Sequence, residues 1–119
     1  MAEDMTPLQR IAAFGTKAEA VALLNSNPGL DINATDDWGA TALHYAASKG
    51  NLALVTWLLE HGANVNARMR GGETPMRQAE DVIRNVSQSS ALGAPSHEAI
   101  CRLLRSHGGW STPRTPNPW

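Results

Sequence analysis

The sequence predicts an all-α solenoid in which short helix pairs stack side by side and β-turns or short hairpins protrude from the stack. Three observations carry this. A Thr followed by Pro or Ala and then Leu or Met recurs at Thr6, Thr41 and Thr74, 35 and 33 residues apart. Apolar residues follow each Thr at helical spacing. A second apolar helical stretch comes after each of these, so every repeat supplies two helices that need a neighbour to bury them.

The first helix of each repeat opens for a physical reason. A Thr hydroxyl accepts from an orphan N–H at a helix start, and Pro fits the first helical position, where an N–H is not needed. The inward residues are then Leu8, Ile11 and Ala12 in the first repeat, Leu43, Ala46 and Ala47 in the second, and Met76 and Ala79 in the third. Gly15 and Gly50 are expected to end the first two of these helices. The second helices carry Ala20, Val21, Leu23 and Leu24, then Leu54, Val55, Trp57, Leu58 and Leu59, then Ile100, Cys101, Leu103 and Leu104. Extended pieces follow at 30–34 and 63–67, and turn residues at Asp36-Asp37-Trp38-Gly39 and Arg70-Gly71-Gly72.

A helix–turn–helix–hairpin unit of about 33 residues resembles the ankyrin repeat. The second repeat carries the resemblance most clearly. Asp36 to Ala47 (DDWGATALHYAA) is similar to the family's opening motif, with Ala42 in place of its usual Pro, and Leu58 to Asn66 (LLEHGANVN) is similar to its closing motif. The resemblance covers roughly residues 5–109, as repeats at about 5–35, 36–68 and 69–109, with the first and third acting as caps. Thr74 to His107 spans 33 residues where Thr41 to His61 spans 20. The 13 additional residues, near 87–95, are expected to lengthen the first helix of the third repeat or to form a surface loop. Residues 110–119, with Pro113, Pro116, Trp110 and Trp119, cannot continue a helix and are expected to form an extended tail.

The resemblance implies a protein that binds another protein, as an adaptor or a blocking inhibitor, through the turn tips and the exposed face of the first helices. By position, that implies Asp37, Trp38, Ala40, Ser48 and Lys49 in the second repeat, with Tyr45 adjacent, and Arg68, Arg70, Glu73 and Arg77 in the third. Trp38 stands out, because a Trp at a turn tip has little to do for folding, and Trp and Arg dominate interface hot spots. It also implies that His44 ties adjacent loops by hydrogen bonds.

The charge is uneven. Residues 1–65 hold three basic and seven acidic side chains, and residues 66–119 seven basic and four acidic, for a net charge of -1. An acidic half and an Arg-rich half make a dipolar surface, but the small total argues against a general nucleic-acid or membrane-surface binder. Homo-oligomeric assembly and nucleic-acid binding through the Arg-rich half stay open as other readings. No catalytic pattern is present. The four histidines have no zinc spacing with the single Cys101, no Gly-rich loop follows a strand, and no Ser lies in a nucleophile elbow. No enzyme activity, cofactor or metal is therefore expected. Cys101 lies on the inward side of its helix and reads as a small buried hydrophobe. Met1-Ala2-Glu3-Asp4 does not open like a signal peptide, and no apolar run approaches the length of a membrane span. The expected location is the cytoplasm, with the nucleus as the alternative.

Overall fold

A computed structural model describes residues 7–89 and 95–109 of the chain. Residues 1–6, with Thr6, and the tail 110–119 lie outside the described residues, as does the stretch 90–94 within the expected insertion. Six helices follow in order: α1 (Pro7–Phe14), α2 (Lys17–Ser26), α3 (Ala42–Lys49), α4 (Leu52–Glu60), α5 (Pro75–Ser89) and α6 (Pro95–Ser106). They pair as α1–α2, α3–α4 and α5–α6. The first helices pack in the order α1, α3, α5 and the second in the order α2, α4, α6, giving two layers. The 13 additional residues of the third repeat go partly into α5, which runs for 15 residues where α3 runs for 8.

The core lies between the layers, and the middle pair fills it. On α3, Ala42, Leu43, His44, Ala46 and Ala47 are buried, so five of eight positions face a neighbour. Its three alanines let α1 and α5 approach from both sides. On α4, Leu54, Val55, Trp57 and Leu58 are buried. Leu8 and Ala12 close the core at one end, and Met76, Ala79, Ile100, Cys101 and Leu104 at the other. Trp57 packs as its spacing suggests and stacks on the His61 ring, with centroids 4.3 Å apart.

The helix starts follow the capping chemistry. The Thr41 hydroxyl accepts from the His44 N–H at 3.4 Å, and the Thr74 hydroxyl accepts from the Arg77 N–H at 3.3 Å. Gly50 ends α3 in the left-handed region, with φ 76°, a conformation that costs Gly nothing. Gly15 also follows its helix directly, donating its N–H to the Ile11 oxygen at 2.6 Å, but without a positive φ.

The segments read as extended are turns, and no strand occurs among the described residues. Ala34 N–H donates to the Asp31 oxygen at 3.2 Å, and Ala67 N–H to the Asn64 oxygen at 3.3 Å. A ladder of asparagines joins one pair to the next. Asn33 donates from its amide to the Gly62 oxygen at 3.1 Å and accepts from the Asn64 N–H at 2.7 Å. Asn66, 33 residues later, donates to the Gly108 oxygen at 3.0 Å. Two of these bonds satisfy loop carbonyls and the third a loop N–H.

Candidate binding face

The surface built by the turns and the first helices begins at Asp36. Its carboxylate Oδ1 accepts from the N–H groups of Trp38 at 2.9 Å and Ala40 at 3.0 Å, and Oδ2 accepts from the Tyr45 hydroxyl. The backbone closes the same loop: Gly39 N–H donates to the Asp36 oxygen at 2.9 Å and Asp36 N–H to the Ala40 oxygen at 3.1 Å. The turn is thus fixed by its own polar groups and needs nothing from the Trp38 ring, which stands 60% exposed at its tip.

The next turn repeats the backbone pattern. Gly72 N–H donates to the Met69 oxygen at 2.9 Å and Met69 N–H to the Glu73 oxygen at 3.0 Å. Met69 occupies the register of Asp36, and Gln78, in the register of Tyr45, donates to its sulfur at 3.4 Å. The two turns are joined directly, Arg70 N–H donating to the Trp38 oxygen at 2.8 Å. They lie so close that a Cβ on Gly39, whose φ is +78°, would come within 3.3 Å of the Arg70 nitrogen.

His44 locks the loops from beneath. It is 2% exposed. Thr41 N–H donates to its Nδ1 at 3.1 Å, so Nδ1 carries no proton. Nε2 therefore carries it and donates to the Glu73 oxygen at 2.9 Å. Burial holds its pKa below the usual 6.5, against the pull of the Glu73 and Ala67 carbonyls and of the Asp36 and Glu73 charges. Gln9, at the same place in the first repeat, donates to the oxygens of Ala34 and Ala40, both at 2.8 Å.

The residues expected to bind a partner fall into three groups. Asp37, Trp38, Lys49, Arg68 and Arg70 are exposed, and Tyr45, Ser48 and Glu73 are partly buried. Tyr45 is tied to Asp36, and the Ser48 oxygen accepts from His97 Nε2 at 2.9 Å. Ala40 is a correction. It is 1% exposed, because the turn folds its methyl into the core while its carbonyl meets Gln9, so its side chain offers nothing to a partner. Arg77 is partly buried: in the register of His44 and Gln9, its side chain is 13% exposed and its Nε donates to Asp81 at 3.1 Å within α5.

The sequence reading missed Phe14. It lies 35 residues before Lys49, in the same register, and is 76% exposed. The Lys49 ammonium sits 5.7 Å from its ring centroid, within cation–π range. A hollow of ≈ 330 Å³ beside it is lined by Pro7, Arg10, Ile11, Phe14, Gly15 and Glu19. The repeat register was the signal that would have found it. Among the described residues no group of His, Cys, Asp and Glu is placed to hold a metal ion, and no helix is long and apolar enough to cross a membrane. Cys101 is buried, which pushes its thiol pKa up to about 11.

Two layers of paired helices, joined by polar loops at a 33-residue register, define a repeat solenoid. Residues 23–79 match the family pattern described as "Ankyrin repeats (many copies)". The chain is 42% identical over 119 aligned residues to BCL-6 corepressor-like protein 1 of Homo sapiens, an alignment that covers 86% of this chain and 7% of that protein. It is 47% identical over 57 residues to Palmitoyltransferase akr1 of Schizosaccharomyces pombe, covering 48% of this chain and 9% of the other. It is 37% identical over 76 residues to Neurogenic locus notch homolog protein 1 of Homo sapiens, covering 64% and 3%. The chain thus spans less than a tenth of the length of each of these relatives. It belongs to the ankyrin-repeat family, whose repeats generally mediate protein–protein interaction.

Proposed function

We propose that this chain binds a partner protein through its turn tips and the uncovered face of α1, α3 and α5, and acts as an adaptor or blocking inhibitor with no reaction of its own. One observation carries the reading. Trp38 is 60% exposed on a turn that Asp36 already holds from within. A large apolar ring displayed on a pre-formed support loses little conformational freedom on binding, which is the usual character of an interface anchor. Arg70, on the turn joined to that of Trp38, is exposed and supplies charge at the rim. The proposed place of action is the cytoplasm or nucleus; a chain with one thiol, buried at Cys101, suits a reducing compartment.

The test is affinity capture from lysate of the native cell, comparing the wild type with a Trp38→Ala, Arg70→Glu variant shown to melt like it. A protein retained by the wild type and lost by the variant supports the reading. Equal retention by both moves binding to another face, and retention by neither removes the reading.

A further inference from the structure

The chain leaves α6 as it leaves α4, residue for residue. His61 and His107 each donate from Nδ1 to a carbonyl four residues earlier, Trp57 at 2.8 Å and Leu103 at 3.0 Å. Gly62 and Gly108 follow with positive φ, 92° and 87°. Ala63 N–H then donates to the Leu58 oxygen at 2.9 Å, and Gly109 N–H to the Leu104 oxygen at 2.7 Å. The asparagine ladder meets both exits, Asn33 at the Gly62 oxygen and Asn66 at the Gly108 oxygen. Gly109 already runs beside the preceding loop, since a Cβ on it would lie 3.0 Å from Val65 Cγ2. Two exits of one geometry aim the chain along one path, so Gly109 points onward as Ala63 points into the loop 64–69.

The far face of α5 differs from the faces that the other first helices turn to the next repeat. Gln9 and His44 reach loop carbonyls from α1 and α3. Three residues further on, along the same side of each helix, Ala12 and Ala47 are buried and let the next helix approach. In the third repeat these two positions hold Arg77 and Glu80, and Glu80 is only partly buried. A carboxylate in the place of Ala12 and Ala47 opposes the packing of another helix, which would have to desolvate it. Arg77 keeps the other half of the pattern, a long donor where Gln9 and His44 stand. This face suits the carbonyls of a loop and not the apolar stripe of a helix.

We infer that residues 110–115 take this place, so that the chain's own tail closes the stack on the far side of α5. The backbone N–H of Trp110, two residues after Gly108, donates to Asn66 Oδ1, as that of Asn64, two residues after Gly62, donates to Asn33 Oδ1 at 2.7 Å. The Pro113 carbonyl accepts from the Arg77 guanidinium, as that of Ala34, in the same register, accepts from Gln9 at 2.8 Å. The match stops at Thr115. In the preceding turn Arg70 and Gly72 both donate their N–H groups, and Gly72 has φ 87°. Pro116 and Pro118 stand in their register, and a proline has no N–H and takes no positive φ. The tail thus supplies the foot of a loop without its protruding tip.

The experiment is amide hydrogen exchange, followed residue by residue by NMR on the full chain, with the Asn64 N–H as internal standard. The Trp110 backbone N–H should exchange at least about tenfold more slowly than in an unstructured chain. Asn66→Ala, first shown to keep the protection of α3, should remove that slowing. A Trp110 N–H that exchanges freely in the wild type, or as slowly in Asn66→Ala, overturns the inference. Slowing that grows with protein concentration assigns the face to the tail of a second copy and overturns closure within one chain. Urea unfolding gives a reading independent of Asn66. Arg77→Ala should lower the midpoint more in the natural chain than in one whose residues 110–119 are replaced by a Gly/Ser run of equal length, where only the pair with Asp81 remains to be lost. Equal shifts in the two chains overturn the inference as well.

Discussion

The Nε2–H of His44 donates to the carbonyl oxygen of Glu73 at 2.9 Å, joining positions 29 residues apart, while the Thr41 N–H donates to the other ring nitrogen. One buried ring thus sets both the start of its own helix and the foot of the next turn. His44→Ala should cost about 1–3 kcal/mol, since it strands a buried donor and acceptor. His44→Gln should recover part of this, because Gln9 spans the matching carbonyls of Ala34 and Ala40. Urea unfolding of the three chains checks it.

The same ring makes stability depend on pH with a definite sign. Its folded pKa is lowered from 6.5, chiefly by burial, so the unfolded chain binds the proton more readily. The contribution is complete above about pH 6.5 and is lost as pH falls towards the folded pKa. The midpoint of urea unfolding should therefore drop more steeply below pH 6.5 in the wild type than in His44→Gln. Equal slopes would show that the ring is not the titrating group.

Asp36 and Trp38, two residues apart, should separate folding from binding. Asp36→Ala leaves the N–H groups of Trp38 and Ala40 and the Tyr45 hydroxyl without their acceptor, at about 1–3 kcal/mol. Trp38→Ala removes an exposed ring that the turn does not use and should change stability by less than about 0.5 kcal/mol. Partner affinity should fall by about 2 kcal/mol or more. Thermal melts and a binding titration read the two effects independently.

Cys101 gives a probe of opening. Burial pushes its thiol up to about 11, so about one in a thousand is ionised at pH 8. Because the unfolded value is 9.0, its contribution to stability is complete below about pH 9 and shrinks as pH rises towards 11. A disulfide reagent at pH 8 should label the native chain slowly and the urea-unfolded chain quickly. Fast native labelling would contradict the burial.

The sequence was most legible where one residue answers for one local structure. Thr41 and Thr74 marked helix starts by capping chemistry, and Leu43, Leu54 and Leu58 marked the core by spacing. It was least legible where a side chain acts at a distance. Ala40 read as a partner-facing position by its place in the resemblance, yet it is 1% exposed and its carbonyl accepts from Gln9, 31 residues earlier. Arg77 read as a partner-binding position by its place in the resemblance; its register is that of the loop-joining His44, and there it pairs with Asp81. Phe14 drew no reading of its own, and only alignment with Lys49 brings it onto the face. The insertion hid His97, since additional residues in the third repeat break the register that located the others.

Gly50 and His97 meet across that break, and their contact supports a further test. Gly50 ends α3 with φ +76°, and a Cβ there would lie 2.6 Å from His97 Cε1. His97 in turn donates from Nε2 to the Ser48 oxygen at 2.9 Å, covering the end of α3. Gly62 also has a positive φ, +92°, but no atom lies near its Cβ position. Gly62→Ala therefore carries the backbone strain alone, about 1 kcal/mol. Gly50→Ala carries the same strain and also displaces the His97 ring, losing its hydrogen bond, so it should cost about 1 kcal/mol more. In the double variant Gly50→Ala, His97→Ala the steric part disappears. The loss should then be smaller than the sum of the two single losses, with a coupling of about 0.5 kcal/mol or more. Chemical denaturation of the four chains measures this. Strict additivity would mean that α6 does not rest on the end of α3 as the hydrogen bond to Ser48 requires.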